Sequence, residues 1–196
     1  MPISPSLRWR PLTPERWDVS TPANGLPDMN GEVVILGVDP GLRITGYGAV
    51  VCTPARTQAL DYGHIKTDSR AAIEVRLHAI YWGIRDAIRR FDAQELAIEL
   101  PFVAINIRSA FAIGEARAAA MLAAAEERVT VFQYTPAEVK QCVSGYGRSD
   151  KHQIQENVRL QLGLPSLPTP ADAADALAIA ICHYANRRMR ALERIH

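Results

Sequence analysis

Short apolar runs and amphipathic stretches alternate along most of the chain. Residues 33–38 form a continuous apolar run, which is typical of a strand buried on both faces. Residues 45–52 and 57–66 follow after turn residues, so the first three strands are predicted to form a meander. Residues 71–91 then carry isoleucine and leucine at helical spacing, which predicts the first helix.

The pattern then changes to strands separated by helices. Residues 94–99 and 129–134 are predicted to be the fourth and fifth strands, with an alanine-rich helix over residues 107–127 between them. No internal repeat is visible. The order βββαβαβα, with trailing helices, predicts a mixed α/β domain centred on a sheet of five strands.

Three more helices are predicted after the fifth strand. Thr135 begins a capping box for a short helix. Ser149 or Asp150 caps a second helix over residues 151–162. A loop marked by prolines then leads into a last helix over residues 171–190.

The chain divides into a core domain and two terminal segments. Residues 1–30 hold six of the thirteen prolines and show no sustained periodicity, so we expect an extended or disordered arm outside the core. Residues 31–190 contain every predicted strand and form the predicted domain. Residues 191–196 are left as a C-terminal tail.

Composition limits the classes of protein to consider. The chain has 196 residues, which is enough for one domain with a sizeable core. Its net charge is only +1, from 22 basic and 21 acidic residues, whereas nucleic-acid binders are often strongly basic. Nucleic-acid binding is not excluded, because an acidic metal site lowers the total and local patches matter more than sums.

Two further features indicate the compartment. The chain has no uninterrupted apolar run of about 18 residues and no N-terminal signal pattern, so we expect a cytoplasmic protein with no membrane partner. The three cysteines lack CxxC spacing. We therefore expect them to be reduced and partly buried.

Four carboxylates stand where a fold could bring them to one point. Asp39 ends the first apolar run, and Glu99 ends the run of the fourth strand. Asp172 and Asp175 share one face of the last helix, with only alanines between them. Two acids at strand ends and two on one helix face would meet at a sheet edge to hold a positive group, which we expect to be a pair of divalent metal ions.

Each acid also has a structural interpretation. Asp39 lies in an Asp-Pro-Gly turn, Asp172 fits a capping box with Thr169, and Asp175 can complement the helix dipole. Glu99 is harder to explain, because no basic residue lies nearby in sequence and an unpaired buried carboxylate is costly. Singly the acids are weak signals, but together they favour a metal site.

The expected metal indicates the reaction. Two metal ions about 3.5–4 Å apart can activate a water molecule and neutralise the leaving oxygen of a phosphodiester. Mg²⁺ and Mn²⁺ prefer oxygen ligands, which carboxylates supply. The scarcity of nearby histidine and cysteine favours magnesium over zinc, so phosphodiester hydrolysis is the predicted chemistry.

Four long segments of the chain occur together in one known family. They are ILGVDPGLRITGYGAV (35–50), AIELPF with NIRSA (97–110), YTPAEVKQCVSGYGRSDK (134–151) and ADAADALAIAICH (171–183). In their order and spacing they resemble the RuvC family, the bacterial Holliday-junction resolvases. The resemblance covers about residues 33–185. It implies a ribonuclease H-like fold, with a five-stranded mixed sheet flanked by helices on both faces.

The resemblance also implies a site and a reaction. The family's catalytic and metal-binding acids fall on Asp39, Glu99, Asp172 and Asp175. Two Mg²⁺ ions per site are implied, with Mn²⁺ as a substitute, and hydrolysis leaves 5′-phosphate nicks. The implied enzyme is a homodimer that cuts four-way DNA junctions by paired, symmetric incisions in homologous recombination and DNA repair. Its implied partner is a branch-migration helicase complex of the RuvA and RuvB type.

Five more residues are expected to contact DNA. Phe102 matches an aromatic residue that enters the opened junction, where stacking on a base is worth about 1–3 kcal/mol; an ordinary core phenylalanine is the alternative. Lys140 and Lys151 match lysines near the family's active site, with solvated helix charge as the alternative. Arg148 lies in a glycine-flanked loop suited to phosphate contact, and Arg108 adds a positive charge after Glu99.

The chain departs from the family at one position, and two other functions remain open. Ile105 stands where relatives often carry a basic residue, which leaves the phosphate contacts there undecided. A junction-binding scaffold that does not cut is one alternative. The other is an ATP-binding protein of the actin-like and sugar-kinase group, because Asp39-Pro-Gly followed by Thr45-Gly46 resembles its first phosphate loop. The chain lacks a second such loop.

The alanine-rich helix over residues 107–127 supports the expected dimer. Its alanines at 116, 118, 119, 120 and 123–125 would let a helix of a second copy approach closely. Packing on the chain's own sheet is the alternative.

Overall fold

The computed structural model describes residues 31–100, 107–145 and 150–193, so the arm predicted at 1–30 lies outside the described residues. The strands are β1 (Val33–Asp39), β2 (Ile44–Cys52), β3 (Thr57–Lys66), β4 (Glu95–Glu99) and β5 (Thr130–Tyr134). The helices are α1 (Ile73–Phe91), α2 (Ile107–Glu126), α3 (Pro136–Ser144), α4 (Lys151–Gln161) and α5 (Ala171–Glu193). The predicted order of elements is confirmed, and α5 continues past its expected end at residue 190.

The five strands form one mixed sheet in the order β3-β2-β1-β4-β5. The meander β1-β2-β3 is antiparallel, whereas β4 joins β1 in parallel and β5 joins β4 in parallel. Helices α1 and α2 make the crossovers that parallel pairing requires. The carboxyl ends of β1, β4 and β5 therefore meet at one edge of the sheet.

Helices cover both faces of the sheet, as the predicted fold class requires. Because side chains alternate along a strand, Val33 and Ile35 of β1 belong to the core shared with α3, α4 and α5. Leu36 and Val38 belong to the core shared with α1 and α2. The acid at the end of β1, residue 39, continues the first set and therefore faces the α5 side.

Glycines let α5 lie unusually close to the sheet. A Cβ atom added at Gly37 or Gly46 would come within 3.0 Å of α5 backbone, at Ala176 and Asp172 respectively. Real Cβ atoms essentially never approach so closely, so only glycine admits the helix at this distance. The start of α5 is thereby seated directly on β1 and β2.

The cysteines agree with the expectation of reduced, partly buried side chains. All three cysteines are free thiols; Cys52 and Cys182 are buried and Cys142 is partly buried. In the described part of the chain, no helix is both long enough and apolar enough to cross a membrane.

Candidate active site

Asp39 and Glu99 lie side by side at the carboxyl edge of the sheet. The parallel ladder between β1 and β4 pairs Val38 with Ile98, and the two acids follow directly on these neighbouring strands. The two carboxyl groups therefore influence each other's proton affinity.

The start of α5 adds the other two acids. Gly46 is the partner of Asp39 across the β1–β2 ladder, and the backbone of Asp172 lies directly on Gly46. Asp175 follows one turn later on the same helix. The charges of both α5 acids act on Asp39, and that of Asp175 acts on Glu99. The structure therefore brings together all four acids singled out in the sequence.

Crowding of these acids changes their proton affinity. Burial, followed by the negative charges of Glu99, Asp175 and Asp172, raises the pKa of Asp39 from 3.8 to about 7. Burial also raises the pKa of Glu99, and the charge of Asp175 adds to the effect. Shifts in this direction arise where carboxylates lack sufficient positive charge nearby. A bound cation would lower both pKa values.

The predicted capping box at the start of α5 is absent. The carbonyl of Pro170 accepts hydrogen bonds from the backbone N–H groups of Ala173 and Ala174, at 3.0 and 3.3 Å. The helix therefore begins one residue later than the box requires. Among the described residues, no hydrogen bond joins Asp172 to Thr169. The structural interpretation of Asp172 as a capping residue is wrong for this reason.

Both predicted lysines lie beside the acids. Lys151 is the first residue of α4, and its Nζ lies 2.8 Å from Oδ2 of Asp175. Lys140 is exposed on α3, and its positive charge partly offsets the raised pKa of Glu99. The acid cluster is therefore bordered by two cations.

The donor set suits a hard divalent cation. Four carboxylates offer only oxygen ligands, which Mg²⁺ and Mn²⁺ prefer. Within the described residues, however, no group of three or more histidine, cysteine, aspartate or glutamate side chains stands ready as a metal site. Of the four acids, Asp175 is paired with the ammonium group of Lys151.

A buried polar network lies deeper on the same face of the sheet, and it was not foreseen from the sequence. His183 of α5 is 1% exposed, and its Nε2 lies 2.6 Å from Oε2 of Glu95 on β4. Its Nδ1 lies 2.7 Å from the hydroxyl of Tyr134 on β5. Arg187 donates its Nε–H to Oε1 of Glu95 at 3.2 Å.

This network ties together the elements that carry the acids. Burial alone would raise the pKa of Glu95, but the hydrogen bond and charge of His183 and the charge of Arg187 outweigh it and lower that pKa. Glu95 and Glu99 lie four residues apart on one face of β4, so the network fixes α5 against the strand that ends in Glu99. The four-residue spacing of Glu95 and Glu99 was the feature of the sequence that could have indicated this network.

The remaining predicted DNA contacts are described only in part. Arg108 is exposed near the start of α2. Phe102, Ile105 and Arg148 lie outside the described residues.

A separate hollow of about 260 Å³ lies further along α5. Its walls are formed by Thr57, Gln161, Ile181, Tyr184, Ala185 and Arg188. None of the four acids lines it. The acids lie instead at the carboxyl edge of the sheet.

Comparison with known proteins decides the family. The family model described as crossover junction endodeoxyribonuclease RuvC matches residues 35–183, a span that includes all four acids. The chain belongs to the RuvC family. A RuvC of Desulforamulus reducens is 44% identical over 151 residues, covering 77% of this chain and 93% of that protein. A RuvC of Rubrobacter xylanophilus is 45% identical over 158 residues, covering 81% and 88%.

Solved structures agree with this RuvC assignment. Thermus thermophilus RuvC in complex with Holliday junction substrate has a TM-score of 0.77 and 33% identity, covering 80% of this chain and 96% of that one. A yeast mitochondrial Holliday junction resolvase shares the fold with a TM-score of 0.56 at 11% identity. The predicted ribonuclease H-like fold is confirmed.

Proposed function

We propose that this RuvC-family protein is an endonuclease that resolves four-way (Holliday) DNA junctions in recombination and repair. It does so by paired, symmetric, metal-dependent hydrolysis of phosphodiester bonds and leaves 5′-phosphate nicks. The observation that carries the proposal is the meeting of four carboxylates at one sheet edge, within the span that matches the RuvC family. The Holliday junction bound by the Thermus thermophilus relative supports the choice of substrate.

The four carboxylates are proposed to hold the metal. Asp39, Glu99, Asp172 and Asp175 would bind two Mg²⁺ ions, with Mn²⁺ as a substitute, because all their donor atoms are carboxylate oxygens. When bound, such ions activate water and neutralise the leaving oxygen of a phosphodiester.

The fold itself contributes the positions of the four acids and the two lysines. Two acids are fixed at the ends of paired strands and two at the start of a helix seated on glycine, so their backbones are held by the sheet. Lys140 and Lys151 approach the same edge from α3 and α4. Their ammonium groups are suited to bind phosphate oxygens of the DNA that enters there.

Cleavage of a synthetic four-way junction by amide variants tests the site. Asp39→Asn, Glu99→Gln, Asp172→Asn and Asp175→Asn should each abolish cleavage in Mg²⁺ or Mn²⁺ and keep junction binding, because an amide keeps the shape but not the charge. Asp86→Asn is the matched control, since Asp86 is exposed on α1 on the other face of the sheet. A variant of the four acids that cuts at the wild-type rate would exclude that residue from the site.

Two assays of the wild-type protein separate the proposal from its two alternatives. Wild-type protein that binds mobile and fixed junctions but yields no cut product would indicate a scaffold. ATP hydrolysis without DNA would indicate the actin-like and sugar-kinase group. The family comparison favours neither.

We also propose a homodimer that uses the exposed face of α2. Phe111 and Leu122 are 70% and 61% exposed, and Ala118 and Ala125 are exposed on the same helix. These positions recur at helical spacing and form one apolar stripe. Of the alanines that led to the expected dimer, those at 116, 119, 120, 123 and 124 are buried in the chain's own core, so only Ala118 and Ala125 are available to a second copy.

Sedimentation tests the dimer. Wild-type protein should sediment at twice the 21.6 kDa mass of one chain, and Leu122→Glu should shift it to the monomer. Leu160→Glu on α4 is the control, because Leu160 is also 61% exposed but lies on another helix. A wild-type monomer at micromolar concentration would contradict the proposal. The helicase partner and the cytoplasmic location stay predictions.

A further inference from the structure

One cation sits within the acid cluster itself. Nζ of Lys151 lies 2.8 Å from Oδ2 of Asp175, and its charge also acts on Asp39 and Glu99. The Lys151 side chain is 62% exposed, whereas that of Asp175 is 29% exposed. The ammonium group therefore reaches the acids from the solvent side.

The placement of Lys151 is specific. Asp150 caps α4 and forms a capping box with Gln153, which fixes the backbone on both sides of the lysine. A cation in the first turn opposes the helix dipole, so helix stability does not account for a lysine there. The chain also has only three lysines, Lys66, Lys140 and Lys151, among its 22 basic residues.

We propose that Lys151 is a displaceable counter-cation: it neutralises the acid cluster while no metal is bound and leaves Asp175 when a divalent cation binds. The proposal rests on the proposed function, because it requires metal at these acids. An ammonium group and a divalent cation repel each other and compete for the same carboxylate oxygen.

Lysine has the properties that displacement requires. Its ammonium is a compact point charge, whereas arginine binds a carboxylate through two parallel hydrogen bonds. Because most of the Lys151 side chain is already exposed, it can turn into solvent without opening a cavity.

Magnesium affinity of two variants tests the competition. In titration calorimetry of the full chain with MgCl₂, Lys151→Met should bind Mg²⁺ about five- to tenfold more tightly than wild type, because the competing charge is gone. Lys151→Arg should bind it more weakly, because a bidentate guanidinium is harder to displace. Lys66→Met is the control, since Lys66 is exposed on β3 and forms no ion pair with any acid that the structure describes; it should change the affinity by less than about twofold.

Chemical labelling of the wild-type protein provides a second measurement that needs no variant. An amine-reactive reagent, with mass spectrometry of the three lysines, reports how available each ammonium group is. Adding MgCl₂ should raise labelling of Lys151 severalfold relative to Lys66, which is exposed on β3.

The outcomes separate this inference from the proposed function. If Mg²⁺ binds wild-type protein but both Lys151 variants bind it more weakly, Lys151 has only a structural role and the inference is wrong. Unchanged labelling of Lys151 on Mg²⁺ binding would also overturn it. If wild-type protein binds neither Mg²⁺ nor Mn²⁺, the metal part of the proposed function fails as well, and the inference fails with it.

Discussion

Alanine at position 46 would separate the start of α5 from the sheet. A Cβ atom there would lie 2.1 Å from the carbonyl oxygen of Asp172, and real Cβ atoms essentially never come closer than 3.0 Å. The first turn of α5 must therefore retreat by about 1 Å. Because the φ angle of Gly46 is not in the left-handed region, alanine fits its backbone and the change isolates the steric effect.

Gly46→Ala should lower both the free energy of unfolding and the cleavage rate. Overpacking against backbone costs about 1–3 kcal/mol, so the free energy of unfolding should fall by about 2 kcal/mol. Misplacing reacting groups by about 1 Å costs on the order of 100-fold in rate, so cleavage should fall at least that far. Junction binding should persist, because the lysines and the DNA-facing surface keep their charge.

Urea unfolding and single-turnover cleavage of a labelled junction measure the two losses. Gly63→Ala is the matched control: its Cβ would meet the Tyr47 hydroxyl at 2.9 Å, and a side chain can turn away where a helix backbone cannot. This control should cut at the wild-type rate and unfold within about 0.5 kcal/mol of it. Wild-type cleavage by Gly46→Ala would refute the argument that α5 places its acids through this contact.

Two further predictions concern pH and the buried network. Because the pKa of Asp39 is about 7 in the folded protein against 3.8 ordinarily, the folded state holds the proton more tightly between these values. In EDTA, the free energy of unfolding should therefore fall by up to about 4 kcal/mol as pH rises through that interval. Urea unfolding of Asp39→Asn should not show this pH-dependent fall. A rise in the stability of the wild-type protein over the same interval would contradict the assignment. His183→Phe should lower the free energy of unfolding by about 3 kcal/mol, because Glu95 and the Tyr134 hydroxyl each lose a hydrogen bond to the imidazole and Glu95 keeps only Arg187, whereas Tyr134→Phe should cost about 1 kcal/mol. Equal urea midpoints for these two variants would count against the network.

Most of the secondary structure was predictable because its signals are local. The apolar run at 33–38 and the capping box at Thr135 depend on neighbours within a few residues, and β1 and α3 begin where those signals place them. The capping box expected at Thr169 failed for an equally local reason. The Pro170 carbonyl takes the first helical hydrogen bond, so the helix begins one residue later.

The candidate site was predictable as a set of acids but not as an arrangement. Strand ends and one helix face were enough to single out Asp39, Glu99, Asp172 and Asp175, because strand and helix periods dictate which side chains share an edge. Their spacing and the pairing of Asp175 with Lys151 depend on atoms from four different elements, β1, β4, α4 and α5. No local pattern encodes those distances.

By itself, the sequence determined the order of elements, which follows from hydrophobic period and turn chemistry, and it singled out four acids at strand ends and on one helix face. Only the tertiary structure decided that Gly46 would seat Asp172 and that Lys151 would meet Asp175, which lies 24 residues away. It also decided that Glu95 would meet His183, 88 residues away. The physical reason is that contact between distant residues is set by how closely helices pack on the sheet, and that closeness depends on all the side chains between them.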